Sequence, residues 1–410
     1  MTGLGVVAPN GLGLDELWRN LLAGRSGIVP VTLFDPAGLK SRVAGEITQF
    51  NPLDHIDPHL KPHRMARFTQ LALAALQMAL RNAGLEGADL GGSPRPVPVI
   101  LGVSTSATDV IERQVRRIER SGAAAASPFT AIASLPQAAA AAAASVLGVE
   151  SQALTVSTGC PAGLDAVAFA AERIRSGRAD LALAGGADAS INLLTMATFC
   201  ASESMSRRND DPAHASRPFD LHRDGGLLAE GAGILVLEAL EPALARGAVP
   251  WLEIAGYGLH GDLPSAPPSS GLAASMEMAL ANSGCRPKDI DYISAHGPSD
   301  PVLDRVETES IKHVFGAHAH RIPVSSVKGV IGNPLSAAGA MQVIACALAA
   351  RHGLIPPTAN YETPDPQCDL DYVPDRPRAA RLRRALVNSH GYGGSNSTLT
   401  VEAWDGAGKA

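Results

Sequence analysis

Along this 410-residue chain, short apolar runs bounded by glycine alternate with segments of helical periodicity, the pattern of an α/β protein. Val97–Leu101 and Gly233–Glu238 read as buried strands, Ala153–Ser157 and Leu181–Ala184 as strands, and Thr69–Ala83 and Pro161–Arg175 as helices. The run Glu241–Gly247 reads as a boundary, after which the rhythm restarts. Strands are then expected at Trp251–Gly256, Tyr292–Ala295 and Ala385–Ser389, and helices at Ser270–Ser283, Val302–Phe315 and Ser336–His352. Two halves of similar order, residues 1–245 and 246–410, predict an internal duplication too diverged to show as a repeat. The alanines Ala138–Ala144 could form a linker. Alanine is the best helix former and linkers favour Gly, Ser and Pro, so a buried helix with a close neighbour is predicted.

Composition removes several classes. Hydrophobic residues are 46% and charged residues 18%, enough for a large core and too apolar for disorder. The formal charge is −6, with no dense Lys/Arg tract to track a nucleic acid. No apolar run approaches the roughly 20 residues that span a bilayer. No signal peptide is visible at Met1–Gly5. The cysteines Cys160, Cys200, Cys285, Cys346 and Cys368 form no CxxC and no metal-spaced cluster, which suits a reduced, cytoplasmic protein with no bound metal or cofactor.

Four segments could carry chemistry. In Val156-Ser157-Thr158-Gly159-Cys160-Pro161-Ala162-Gly163 a strand ends, glycine permits a sharp turn, and Cys160 stands where a helix begins. The positive helix end is expected to lower the thiol pKa, and nearby backbone N–H groups could hold an oxyanion. Ser294-Ala295-His296-Gly297 puts His296 at a strand's carboxyl end, where α/β active sites gather. Lys328 and Asn333 lie in a glycine-punctuated loop before an Ala-rich helix. Asn388-Ser389-His390-Gly391-Tyr392-Gly393-Gly394 is a turn whose backbone approaches something closely. It lacks both GxGxxG and the Walker lysine, so a phosphate cradle is a weak reading.

Together these segments, with Thr2-Gly3-Leu4-Gly5-Val6-Val7-Ala8-Pro9, Ser216-Arg217-Pro218-Phe219-Asp220 and Arg223-Asp224-Gly225, resemble the β-ketoacyl-acyl-carrier-protein synthases of the thiolase superfamily. The wording around Cys160 is most similar to ketosynthases of type II polyketide systems. The resemblance implies a duplicated, five-layered αβαβα fold that dimerises through the sheet edges of its first half, as a homodimer or with a ketosynthase-like subunit. It implies that Cys160 accepts an acyl chain from the phosphopantetheine arm of an acyl carrier protein. The backbone N–H groups of Cys160 and Tyr392 would form the oxyanion hole, and His296 would assist decarboxylation of a malonyl extender. Lys328 and Glu307 would form a buried supporting pair, and Tyr392 a gate beside the acyl pocket. Lys61, His63, Arg64 and Arg67 resemble the carrier-facing patch.

The departures fall at the same site. Asn333 stands where the family has its second catalytic histidine. Pro298 and Asp300 replace two threonines, Gly226 replaces an aromatic residue, and His390 replaces the first Phe of the last turn. A Cys160-His296-Asn333 set matches that of type III condensing enzymes and leaves decarboxylative elongation chemically possible, in polyketide or fatty-acid-like biosynthesis. Loss of the groups that handle a malonyl carboxylate, together with the added anion at Asp300, suits an acyltransferase that moves a chain without extending it. A non-catalytic, chain-length-factor-like partner is the third reading, and the retained Cys160 argues against it.

Overall fold

The computed structural model describes residues 1–85, 90 and 95–406; residues 407–410, the end of the second half, lie outside it. Two mixed sheets organise the chain. The first contains β1 (Gly3–Ala8), β2 (Gly11–Leu12), β3 (Val97–Gly102), β4 (Ser151–Val156), β5 (Leu181–Ala189) and β6 (Glu230–Glu238), in the order β2-β1-β6-β5-β3-β4. The second contains β7 (Leu252–Gly261), β8 (Tyr292–Ser294), β9 (Val324–Ser325), β10 (Arg384–Gly391) and β11 (Ser395–Ala403), in the order β9-β8-β10-β11-β7.

The two halves share one topology. With the short hairpin strand β2 set aside, each sheet runs, by rank in its half, first-fifth-fourth-second-third. The first-fifth and fifth-fourth pairs are antiparallel in both, and the fourth-second and second-third pairs parallel. Helices follow the same plan: α1 (Arg67–Ala83), α2 (Ala138–Val146) and α3 (Ala162–Arg175) in the first half, α4 (Ser270–Ser283), α5 (Leu303–Phe315) and α6 (Ala337–His352) in the second. The expected duplication is therefore present as repeated topology.

Packing produces five layers. Helices α1 and α2 cover one face of the first sheet, burying Leu71, Leu76 and Ala139 against Val99 and Ile234. Helices α4 and α5 cover the far face of the second, through Met276, Ile311 and Phe315 against Ile293 and Leu386. Between the sheets lie α3 and α6, equivalent in the two halves, with Leu164, Val167, Met341 and Ile344 in one apolar cluster. Every α6 residue from Ala337 to Ala349 is buried, which accounts for its uniform apolar sequence.

Some elements differ from the sequence reading. Strands β1 and β11 and helices Leu14–Leu22, Thr108–Ser121 and Leu193–Ala201 were not anticipated. The alanine run is helical, but only one face is buried, through Ala138, Ala139, Ala140 and Ala143, while Ala141 is exposed. The Glu241–Gly247 boundary contains a short helix, Leu240–Ala245, with Pro242 in its first turn, where no N–H is needed. At the outer edge of the first sheet, Gln152, Ala153 and Leu154 of β4 are exposed, leaving an open strand edge.

Glycines set the depth of the central layer. A Cβ added at Gly163 of α3 would lie 2.1 Å from the Ser336 carbonyl oxygen at the start of α6. One at Gly339 of α6 would lie 2.7 Å from Leu164 Cβ. In an isolated helix Gly→Ala is worth about 1 kcal/mol of stabilisation; here the clash, typically about 1–3 kcal/mol for overpacking, exceeds it. Gly163→Ala is therefore expected to lower the melting temperature by several degrees, whereas Gly261→Ala, with nothing within 4 Å of its Cβ, leaves it near that of the native chain. Equal melting of the two variants by calorimetry would contradict this packing argument.

Candidate active site

Strand β4 ends at Val156, Gly159 turns the chain at φ 77°, and Pro161 leads into α3. Cys160 is thereby held at the helix entrance, 4% exposed. The Asn333 amide nitrogen lies 4.0 Å from Sγ. Asp165, in the first turn of α3, accepts from Thr158 and from Ser397 of β11, so the turn is tied to the second sheet. Burial pushes the Cys160 thiol above its ordinary value, although the Lys328 charge, the Asn333 amide and the Tyr392 N–H all favour the thiolate. This corrects the expectation of a lowered pKa. A helix end contributes about 0.3–1 kcal/mol, and desolvation of a thiolate at a closed site is larger.

His296 follows β8 and is 2% exposed. Its backbone N–H and that of Gly297 donate to the two oxygens of Glu307, at 2.9 and 2.8 Å, and Asn388 Nδ2 donates to the same carboxylate at 3.0 Å. Lys328 is fully buried. Its Nζ donates to the His296 carbonyl at 2.7 Å and to Gln342 Oε1 at 3.3 Å, and faces His296 Nδ1 at 3.5 Å. Glu307 thus grips the His296 loop and meets Lys328 only as a charge across the site; the two make no direct ion pair. Burial lowers Lys328 to about 8, against the pull of Glu307. It lowers His296 well below the usual imidazole value too, aided by the charge of Lys328 and by His390. At neutral pH His296 is an uncharged ring. An ammonium at Nδ1 makes that nitrogen the acceptor, leaving the proton on Nε2.

Cys160, His296 and Asn333 line one cavity with Gly226, Pro298, Asp300, His390 and Tyr392. Phe199, Ser204, Met205, Leu227, Leu228 and Leu303 complete its wall and were not singled out by sequence, because isolated apolar or serine residues carry no local signal. Gly226 has a packing reason: a Cβ there would lie 2.9 Å from the Pro298 carbonyl oxygen. Asp300 Oδ1 accepts from the Val302 and Leu303 N–H groups at the start of α5. The Tyr392 ring is half exposed, edge-on to Phe199 with centroids 5.8 Å apart, and burial raises its pKa against the lowering effect of Ser204. Asn333 is held by backbone bonds to Leu227 and Ala229, and its Oδ1 accepts from Leu335 N–H at 3.3 Å. Its amide nitrogen is therefore the end turned toward Cys160.

The basic segment divides. Lys61, His63 and Arg64 are exposed, with the Arg64 guanidinium 4.2 Å from the Phe129 ring centroid. Arg67 is not part of a free patch: it makes a bidentate pair with buried Glu230, at 2.6 and 2.7 Å, and donates to the Ile47 carbonyl. Buried Glu230, 163 positions away in sequence, is compensated by this cation together with the Ile47 N–H. Gln342 was also missed. Its Nε2 faces the carbonyls of Ser294, Ala295 and Asn388 while Oε1 receives Lys328, so one α6 side chain aligns two strands and the lysine.

Residues 1–243 match the model of the β-ketoacyl synthase N-terminal domain, and residues 252–362 that of its C-terminal domain. The chain belongs to the β-ketoacyl synthase family. It is 40% identical over 414 residues to the tetracenomycin polyketide synthase ketoacyl synthase alpha subunit of Streptomyces glaucescens, spanning 98% of this chain and 96% of that one. The ishigamide ketosynthase/chain length factor structure matches with TM-score 0.90 and 36% identity, over 98% of both chains. A type II PKS acyl-carrier protein in complex with its ketosynthase bound to the hexaketide matches with TM-score 0.90 and 35% identity, again over 98% of both. Among the described residues, no cluster of His, Cys, Asp and Glu could hold a metal ion, and no helix is long and apolar enough to cross a membrane.

The raised Cys160 pKa has a measurable sign. Only the thiolate is alkylated, so with burial holding the thiol above its ordinary value the rate of iodoacetamide modification at Cys160 should still be climbing at pH 9, about tenfold per pH unit below the pKa. A plateau reached below pH 8, followed by mass spectrometry of the Cys160 peptide, would show instead that the helix end dominates.

Proposed function

We propose that this protein is an elongating ketosynthase: it takes an acyl chain from the phosphopantetheine arm of an acyl carrier protein onto Cys160 and condenses it with malonyl-carrier by decarboxylative Claisen chemistry. Attack of Sγ on the carrier thioester forms acyl-Cys160 and frees the carrier thiol. Loss of CO₂ from the malonyl unit generates an enolate, whose carbon attacks the acyl-Cys160 carbonyl and releases the thiolate. Two oxygens need donors along this path. The Cys160 and Tyr392 N–H groups suit the tetrahedral oxyanion, and the Asn333 amide with the His296 Nε2–H suits the enolate oxygen. Lys328 and Glu307 are positioning residues, acting through the His296 ring and loop.

The observation that carries this reading is the orientation of Asn333. With Oδ1 committed to the Leu335 N–H, its Nδ2 is the group turned toward Cys160, at 4.0 Å. A neutral amide donor in this place does the work of an N–H on a histidine. Tyr392, half exposed on a turn with Gly393 at φ 90° and Gly394 at φ 81°, is suited to gate the acyl chamber. Gly226, Pro298, Asp300 and His390 would shape the acceptor side. The relatives also support an acyl carrier protein and a ketosynthase-like subunit as partners, the latter at the open β4 edge. The functional halves divide at residues 245/246.

Replacing Asn333 by Ala should slow malonyl-carrier decarboxylation by about 10²–10³, with a smaller effect on acylation of Cys160. Cys160→Ala should abolish acylation while preserving the fold. Intact acylation without any decarboxylation by the native protein would establish transfer without elongation, and full acyl loading of Cys160→Ala would remove the nucleophile assignment. For the carrier surface, Lys61→Glu with Arg64→Glu should slow loading through association, most at low salt. Unchanged loading kinetics at low ionic strength would move the docking surface elsewhere.

A further inference from the structure

The two histidines of the cavity are held in opposite tautomers. His390, buried on β10, places Nδ1 against Asn396 Oδ1. The orientation of the Asn396 amide is determined by its other end: Nδ2 lies 2.7 Å from Asp262 Oδ1, 3.2 Å from the His260 carbonyl and 3.3 Å from the Gly394 carbonyl, all acceptors. A reversed amide would set an oxygen against a carboxylate and two carbonyls. Asn396 Oδ1 must therefore face His390, and as an acceptor it requires the proton on Nδ1. Among the described residues nothing pairs with the Nε2 lone pair of a neutral His390, on a residue that lines the cavity with Cys160. His296, by contrast, presents Nε2–H, because Lys328 occupies its Nδ1 side. The ring centroids are 6.3 Å apart.

We propose that His390 is a general base of this site, and that acyl-Cys160 can also be discharged onto a neutral hydroxyl or amine acceptor bound beside it. This rests on Cys160 carrying the acyl group. A decarboxylating extender creates its nucleophile by breaking a carbon–carbon bond and gives a base nothing to do. An O–H or N–H nucleophile must lose a proton as it attacks, and the Nε2 lone pair is placed to receive it. In that step the acceptor oxygen or nitrogen bonds to the thioester carbon and its proton passes to His390 Nε2. The carbon–sulfur bond then breaks with its electron pair leaving on Sγ, and the imidazolium returns the proton to the thiolate. The products are an ester or amide and the free Cys160 thiol. The Asp262-Asn396 pair fixes the tautomer, as the third member of a catalytic triad orients its base. Donors for the oxyanion are those that serve the loading step.

The test isolates the second half-reaction. The acyl-enzyme is prepared from an acyl-pantetheine donor for the native protein and for the variants His390→Phe and His390→Gln, and freed of donor. Each is then mixed with a small primary alcohol or a small primary amine, and loss of the Cys160 adduct and appearance of ester or amide are followed by mass spectrometry. Gln keeps a donor for Asn396 and cannot take a proton, whereas Phe removes both functions. The native acyl-enzyme should discharge about 10²-fold faster or more than either variant. The alcohol and amine arms identify which acceptor is used. Equal discharge by the native protein and His390→Gln would overturn the proposal while leaving the Cys160 reading intact. Failure of the native protein to form any acyl-Cys160 would overturn both.

Discussion

The active site exists because two helices from different halves of the chain approach more closely than side chains would normally allow. Helix α3 carries the nucleophile at its start, and α6 follows the short helix Lys328–Ile331 and Asn333, where the sequence suggested a loop. Gly163 lies against the Ser336 carbonyl, and Gly339 against Leu164. A methyl group at either contact would collide with the facing helix. The same contact brings Ser336 to Asp188, whose carboxylate also accepts from the Ser104 and Thr105 N–H groups after β3. The carboxyl ends of β3 and β5 are thereby joined to the start of α6.

Within that cleft, burial governs the chemistry. An exposed Cys, His and Lys would present ordinary protonation states. Here the Cys160 thiol is pushed up, the His296 ring well down and Lys328 down to about 8. All three shifts have desolvation as their largest cause, so the site favours neutral forms. A neutral His296 with its proton on Nε2 can donate to a developing negative charge without first requiring an acidic medium. Lys328 is the one group among these that stays largely charged at neutral pH, and it is held by a carbonyl and the Gln342 amide oxygen. Its charge favours both the neutral His296 and the Cys160 thiolate once an incoming thioester is ready to react.

The polar frame behind the cavity does as much as the residues facing it. Glu307 holds the His296 turn by two backbone bonds, and Gln342 joins three carbonyls to the lysine. On the opposite wall, Asp262 and Asn396 decide which nitrogen of His390 is protonated. These contacts orient rings whose two nitrogens have different uses, so a small polar network converts two identical side chains into a donor and an acceptor.

The sequence alone determined the element rhythm, the two-half organisation and the positions of Cys160, His296, Lys328, Asn333 and the glycine-rich turn, because each is written locally as a strand end beside glycine. It also showed where the family pattern is altered, at Gly226, Pro298, Asp300, Asn333 and His390; all five line the cavity with Cys160, Asn333 with its amide turned to the sulfur. Long-range contact decided the rest. Arg67 reads as one more surface cation until Glu230, 163 residues on, draws it inward. Gln342 is one polar residue in an apolar helix until three strand-end carbonyls surround it. The Cys160 thiol stands at a helix entrance that favours the thiolate, and only the closed cavity shows that desolvation outweighs it. Local sequence specifies which groups are present and which way the chain turns; the direction of a pKa, the tautomer of a ring and the partner of a charge depend on what the fold brings against them, since burial and hydrogen bonding act between residues far apart in the chain.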